Sequence, residues 1–232
     1  MKVAIMQPYL FPYIGYFQLL NRVDKFVLYD DANYINRGWI NRNRILLNGK
    51  AKMITLPLNG ASQNKLINEI SIHNGKREKK KFLKTIRHAY TNSPYYNQVF
   101  PLIEEIMSND EENIAKFIEY SLKRIGDYLD YNTDFIISSE LGKNNSLKGE
   151  DKILDICQLL KADIYINPIG GRDLYSKDRF IGEGIELYFI QTNKIRYSQN
   201  NENFIPNLSI IDTLMFNSKN KVKDFLEGYK LV

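Results

Sequence analysis

The opening MKVAIMQPYLFPYIGYFQLLNRVDKFVLYDDANYINRGWINRN constrains the fold more than any other stretch of the chain. Residues 3–6 read as a short apolar strand, and residues 16–22 repeat apolar side chains at helical spacing. Residues 26–29 are a second apolar strand, ended by Asp30 and Asp31. Strand, loop, helix, strand is the pattern of an open α/β sheet, whose ligands settle beyond the carboxyl ends of the strands. The loop at that place holds Gln7, Pro8, Pro12, Tyr13 and Gly15, with Tyr16 opening the helix. Proline fixes φ and has no N–H, so it stiffens the loop, while glycine allows close approach of the backbone. Both features suit a ligand, and an ordinary strand-to-helix turn would carry them too.

Next to the second strand, residues 30–58 hold the chain's one tryptophan, Trp39, among Asn33, Tyr34, Arg37, Asn41, Arg42, Asn43 and Arg44. Each guanidinium has five donors that need acceptors, so this cluster either lies in solvent or meets a ligand. Arg37, Trp39 and Asn41 alternate as on a short strand, and so do Asn36, Gly38, Ile40 and Arg42. Arginine forks match phosphate or carboxylate oxygens, and an aromatic face beside them stacks a base or a sugar ring. Asn48-Gly49 is a tight-turn signal, so residues 45–47 and 51–58 are expected either to form a hairpin or to bracket a short excursion from the sheet. Alternation over residues 66–72 is compatible with an edge strand.

Helical periodicity then holds from Arg77 to about residue 130. Three helices are expected, broken at Asn92-Ser93-Pro94 and again at Asn109-Asp110, which is expected to open the longest of them. This is a helical insertion at about 77–130. Sheet grammar returns with a strand at 134–138, a helix at 150–161, a strand at 162–167, and a loop carrying Gly170, Gly171, Arg172, Tyr175 and Lys177. A glycine pair beside two cations suits anionic oxygens and equally suits a plain turn into a helix. A final sheet strand is expected at 184–190, and Ser209 is a candidate N-cap for a helix at 210–216, with Asp212 in its first turn. The right-handed crossover rule favours a parallel sheet with its loops gathered at one edge. The expected fold is therefore a Rossmann-like, doubly wound, mostly parallel α/β sheet in a single domain, 1–232, with the helical insertion.

Composition narrows the function classes. Of 232 residues, two are histidine (His73 and His88) and one is cysteine, Cys157. That leaves almost no ligands for a Cys/His metal site and no partner for an intrachain disulfide. Cys157 falls within an apolar helical pattern, where a buried thiol is expected. The net charge of +5 lies partly in one run, KREKKK at 76–81, and no nucleic-acid-binding signature accompanies it. No run of apolar residues reaches membrane-spanning length, and no signal pattern opens the chain, so a cytoplasmic protein without membrane insertion is expected.

QPYLFPYIGYFQL, DDANYINRGWINRN, the GG-x-x-LY loop and NLSIIDTLMFN together resemble the WbqC-like proteins over essentially the whole chain. The resemblance implies a role in bacterial O-antigen or other surface-polysaccharide assembly, in making or modifying an activated sugar. VAIMQPYLFPYIGYFQLL is more distantly similar to the opening of nucleotidylyltransferases, whose H-x-G-H motif is matched here by Tyr13, Ile14, Gly15 and Tyr16. Tyrosine donates a hydrogen bond but carries no positive charge at neutral pH, which counts against nucleotidyl transfer by the usual route.

Three functions stand open. In the first, an enzyme transfers an acyl or aminoacyl group to the amine of a nucleotide-linked sugar. Arg37, Arg42 and Arg172 would grip the diphosphate, Trp39 or Tyr34 stack a ring, and Asp30 or Asp31 act as base. In the second, Asp30 and Asp31 hold Mg²⁺ for nucleotidyl transfer while Arg172 and Lys177 hold a triphosphate. The third is a non-catalytic nucleotide-sugar-binding protein. A homodimer is compatible with all three.

Overall fold

The structure, a computed structural model, describes residues 1–200 and 203–232. Strand β1 (Lys2–Met6), helix α1 (Ile14–Arg22) and strand β2 (Lys25–Leu28) realise the opening pattern. A hairpin follows, β3 (Arg42–Leu47) and β4 (Lys50–Thr55), turning at Asn48 (φ 50°) and Gly49 (φ 72°). Positive φ at both positions is what a two-residue hairpin turn requires. Between β2 and β3, residues 36–41 do not form the short strand suggested by the alternation over 36–42; only Arg42 enters β3. Arg42 Nε donates to Gly38 O at 2.9 Å and its Nη2 to Arg37 O, and Arg37 takes a left-handed φ of 60°. The segment is folded into turns around its own arginine.

Strands β5 (Leu58–Asn59) and β6 (Ser71–Ile72) pair with each other apart from the main sheet, so the strand suggested over 66–72 shrinks to two residues. The insertion is α2 (Gly75–Tyr90), α3 (Tyr96–Ser108) and α4 (Ile114–Leu129). Asn113, not Asn109, caps α4, accepting from Ala115 N at 3.0 Å. Asn109 is taken up instead in a loop pinned by Lys79, whose Nζ donates to Asn109 O at 2.6 Å and Glu111 O at 2.8 Å.

The second half is β7 (Asp134–Ile137), α5 (Gly149–Leu159), β8 (Ile164–Pro168), α6 (Lys177–Gly182), β9 (Glu186–Thr192), α7 (Ile210–Phe216), α8 (Lys219–Leu226) and β10 (Tyr229–Leu231). The six-stranded sheet runs β10-β9-β8-β1-β2-β7, parallel throughout except for β10. This is a Rossmann-like, doubly wound α/β fold. The sheet does not end at β9 as the sequence suggested, because β10 adds an antiparallel edge with Lys230 opposite Gln191. Ser209 caps α7 through Ile211 N, as expected.

Alternate residues of each strand serve the two faces. Ala4, Phe26, Leu28 and Ile166 pack toward α1 and the insertion. Val3, Ile5, Val27, Tyr165, Leu187 and Phe189 pack on the opposite face, among Ile153, Ile156 and Cys157 of α5 and Phe180 of α6. Burial there pushes the Cys157 thiol up to about 12, so it is an inert core residue.

Candidate functional site

From β1 the chain steps to β2 and β7 on one side, then crosses to β8 and β9 on the other. The loops after β1 and β8 therefore part at the carboxyl edge, the place where open α/β sheets bind ligands. A cleft of about 720 Å³ opens there. Tyr9, Tyr13 and Tyr16 line it from the loop and helix after β1, and Asn167, Gly170 and Gly171 from the loop after β8. Trp39, Asn43, Arg44, Leu174, Thr192 and Asn207 also face it. Among these lining residues Arg44 is the one charged side chain.

The floor is shaped by buried amides. Asn43 Nδ2 donates to Leu10 O at 3.0 Å and Phe11 O at 2.8 Å, while Ser209 Oγ donates to Phe11 O at 2.8 Å. These bonds hold Phe11 at φ 42°, a costly conformation for a non-glycine residue, and so set the course of the stiff loop. Leu10 N donates to Trp39 O at 3.1 Å, which anchors the tryptophan segment on the same loop. Across the cleft, Asn167 Nδ2 donates to Tyr165 OH at 2.7 Å. A Cβ on Gly171 would come 2.7 Å from Asn167 Oδ1, so any larger residue would push that amide out of place. Gly15 likewise makes room for the Tyr13 ring and the Thr192 hydroxyl, which a Cβ would meet at 2.3 and 2.7 Å.

Arg44 stands over the Trp39 ring at 5.7 Å and donates through Nη2 to Asn207 O at 3.2 Å. Its buried Nε has no hydrogen-bond partner among the described residues. An unsatisfied guanidinium donor next to an exposed indole is a ready site for an anionic group carrying a flat ring. Tyr16 OH donates to Gln7 O at 2.9 Å. Burial raises the hydroxyl pKa of Tyr9, Tyr13 and Tyr16, so all three stay protonated donors. A neighbouring groove shares Thr192 and Asn207 with the cleft and brings Lys194 and Arg196 to its edge.

Of the residues singled out from sequence, Tyr13, Tyr16, Trp39, Asn43, Gly170 and Gly171 meet in this cleft. Gln7 and Gly15 brace its wall. The rest stand elsewhere. Tyr34 OH donates to Asn41 Oδ1 at 3.0 Å, and Asn41 Nδ2 to Leu56 O at 2.9 Å, so this buried pair fastens the loop to the hairpin. Arg37 and Arg172 are exposed, and Arg42 is spent on its own turn. Tyr175 packs edge-on to Phe180 and Tyr165 on the far side of the sheet, and Lys177 lies over Tyr188.

Asp30 and Asp31 follow β2, away from the cleft. Asp30 is buried and accepts from Ser139 N (2.9 Å), Ser139 Oγ (2.6 Å) and Asn68 Nδ2 (3.1 Å). Asp31 Oδ2 is shared by Lys143 at 2.9 Å and Lys152 at 3.1 Å. These carboxylates are already neutralised or hydrogen-bonded, which fits neither a free base nor a pair of Mg²⁺ ligands. No group of three His, Cys, Asp or Glu side chains suited to a metal ion occurs among the described residues. No helix among them is long and apolar enough to cross a membrane.

Arg44 is the functional candidate that sequence reading passed over in favour of Arg37 and Arg42. The Asn48-Gly49 turn held the clue, since it puts Arg44 on a paired strand, opposite Met53, where a side chain has a fixed direction. Asn167 and Asn207 had no such signal.

The model of the WbqC-like protein family matches residues 7–224. The chain is also 27% identical over 230 residues to "Uncharacterized protein Rv1507c" of Mycobacterium tuberculosis, covering 97% of each. No solved structure matches it.

Proposed function

The chain belongs to the WbqC-like protein family, and from that premise we propose that it is an enzyme of bacterial surface-polysaccharide biosynthesis. It transfers an acyl or aminoacyl group to the amine of a nucleotide-linked sugar bound in the cleft between β1 and β8. The observation that carries this reading is Arg44, the one charged residue lining the cleft among the described residues, whose Nε finds no partner among them, beside the Trp39 indole. The diphosphate is taken by Arg44, with Lys194 and Arg196 along the adjoining groove, and a ring stacks on Trp39.

In the chemical step the amine nitrogen attacks the carbonyl carbon of an activated donor, a thioester or an aminoacyl ester. A C–N bond forms and the C–S or C–O bond breaks. The departing sulfur or oxygen carries away the electron pair and takes up the proton lost by nitrogen. Among the described residues no carboxylate or histidine lines the cleft to deprotonate an ammonium. The aromatic walls instead favour the neutral amine, because desolvation disfavours the protonated form. The protonated Tyr9 and Tyr13 supply hydrogen bonds to the oxyanion that develops on the donor carbonyl.

The test is a thermal-shift screen of UDP-, dTDP- and GDP-linked amino sugars, followed by mass analysis of the sugar after incubation with acyl and aminoacyl donors. A matching ligand at about 100 times its Kd stabilises the fold by about 2.7 kcal/mol. The shift should disappear in Arg44→Ala, and the sugar should gain the mass of the donor's carboxylic acid less one water. A shift from ATP or CTP with Mg²⁺ alone would favour nucleotidyl transfer. A nucleotide-sugar shift with no donor giving product would leave a binding protein.

A further inference from the structure

The ammonium groups beside Asp31 exceed what one carboxylate can neutralise. Lys143 is fully buried, and its Nζ meets Asp31 Oδ2 and Ser138 O. Lys152 is nine-tenths buried, bonded to the same Oδ2 and lying 5.3 Å from the Tyr29 ring. Burying a cation without a counter-charge is expensive, so two ammonium groups on one carboxylate leave one positive charge to be met. The other carboxylates on the surrounding elements are engaged elsewhere. Asp30 is held by Ser139 and Asn68, Glu150 and Asp151 by Arg179, and Asp155 by Asn144 N; Glu140 is exposed on the adjoining cleft.

The surplus charge sits at a cavity of about 690 Å³ beyond the carboxyl ends of β2 and β7. Lys152, the exposed Lys148, Gly149 and Tyr29 line it. Lys148 and Gly149 are also where α5 begins, and no side chain caps that end. Gly149, at φ 53°, has open space where a side chain would stand. Uncapped N–H groups and the helix dipole add to the lysines' attraction for an anion.

We propose that this second cleft binds a phosphate or diphosphate group, contacted by Lys148, Lys152 and the first N–H groups of α5, with Lys143 supplying charge from behind. Two strand spacings separate the β8/β1 boundary from the β2/β7 boundary, so the two clefts open on the same edge roughly 10 Å apart. That spacing suits a two-substrate enzyme. Resting on the acyl-transfer reading, the second cleft holds the phosphate-bearing carrier of the acyl donor, and the sugar nucleotide holds the first.

The test is an NMR titration of the ¹⁵N-labelled full chain, with inorganic pyrophosphate and coenzyme A as separate probes. Pyrophosphate should shift the amides of residues 149–152 in the wild type and equally in Arg44→Ala. Lys148→Ala, a change at an exposed side chain, should weaken that response about tenfold. Lys152→Gln should weaken it too, and if loss of the Asp31 partner unfolds that variant, Lys148→Ala still decides. Coenzyme A shifting the same amides more tightly than pyrophosphate supports the carrier assignment. A response to pyrophosphate alone keeps the anion site and overturns the carrier. No shift at 149–152, or a shift abolished by Arg44→Ala and untouched by Lys148→Ala, overturns the second site while leaving the first cleft standing.

Discussion

Arg44 and the two close-packed glycines decide what the first cleft can hold. In Gly15→Ala the new methyl would meet the Tyr13 ring at 2.3 Å, so the ring must leave its place on the cleft wall. Overpacking of this kind costs about 1–3 kcal/mol. A lower urea midpoint together with weaker nucleotide-sugar binding is the expected outcome. Asp31 makes a second residue-level prediction. Burial pushes its carboxyl up, but the Ser138 hydroxyl and the Lys143 and Lys152 ammonium groups outweigh burial and hold it below its ordinary 3.8. A carboxyl depressed in the fold stabilises above its unfolded pKa, and that contribution is lost as pH falls through the folded value. Asp31→Asn should therefore be destabilised near neutrality, by about 3 kcal/mol for a broken buried pair. Urea titrations at falling pH should show the gap to wild type closing below pH 3.8. A gap that stays constant would mean that the pair adds nothing.

At the scale of elements, the insertion is fastened to α7 by one buried carboxylate. Asp212 accepts from Tyr90 OH of α2 at 2.9 Å, from Tyr197 OH at 2.8 Å and from Gln199 Nε2 at 2.8 Å. Tyr90 OH in turn accepts from Leu46 N of β3 at 3.0 Å. Tyr90→Phe leaves a buried N–H without an acceptor and the carboxylate short of a donor. A loss of about 1–3 kcal/mol follows, read as a lower urea midpoint. Sequence periodicity disclosed α2 and α7 but not their junction, because a hydrogen bond between Tyr90 and Asp212 joins positions far apart in the chain. For the same reason Asn48-Gly49 gave away its hairpin through local chemistry, while residues 36–42, with a convincing alternation, were folded by the reach of Arg42. The three-residue β10 is too short to carry a period.

Across the whole molecule, the parallel sheet and its layers could be read from apolar strands alternating with helices, since those strands bury both faces. The cleft could be placed at the carboxyl edge on the same grounds. What sequence did not reveal is which loops face each other there, because strand order depends on the crossover from β7 to β8. That crossover brings Asn167 and Gly171 opposite Tyr13, and puts Asp30 and Asp31 beyond a different pair of strands. One core cluster takes in Ala4 and Phe26 of the sheet as well as Phe82, Ile103, Phe117 and Leu122 of the insertion. We accordingly expect sheet and insertion to unfold together in one cooperative transition, with circular dichroism and tryptophan fluorescence giving the same urea midpoint. Two separated midpoints would mark the insertion as an independent unit. The central claim, that the nucleotide-linked sugar occupies the cleft between β1 and β8, is tested most directly by a crystal structure with such a ligand. The account predicts its diphosphate against Arg44 and a ring on Trp39, with the sugar between Tyr13 and Gly171. A nucleotide sugar seated instead beyond β2 and β7, or clear of Arg44, would contradict it.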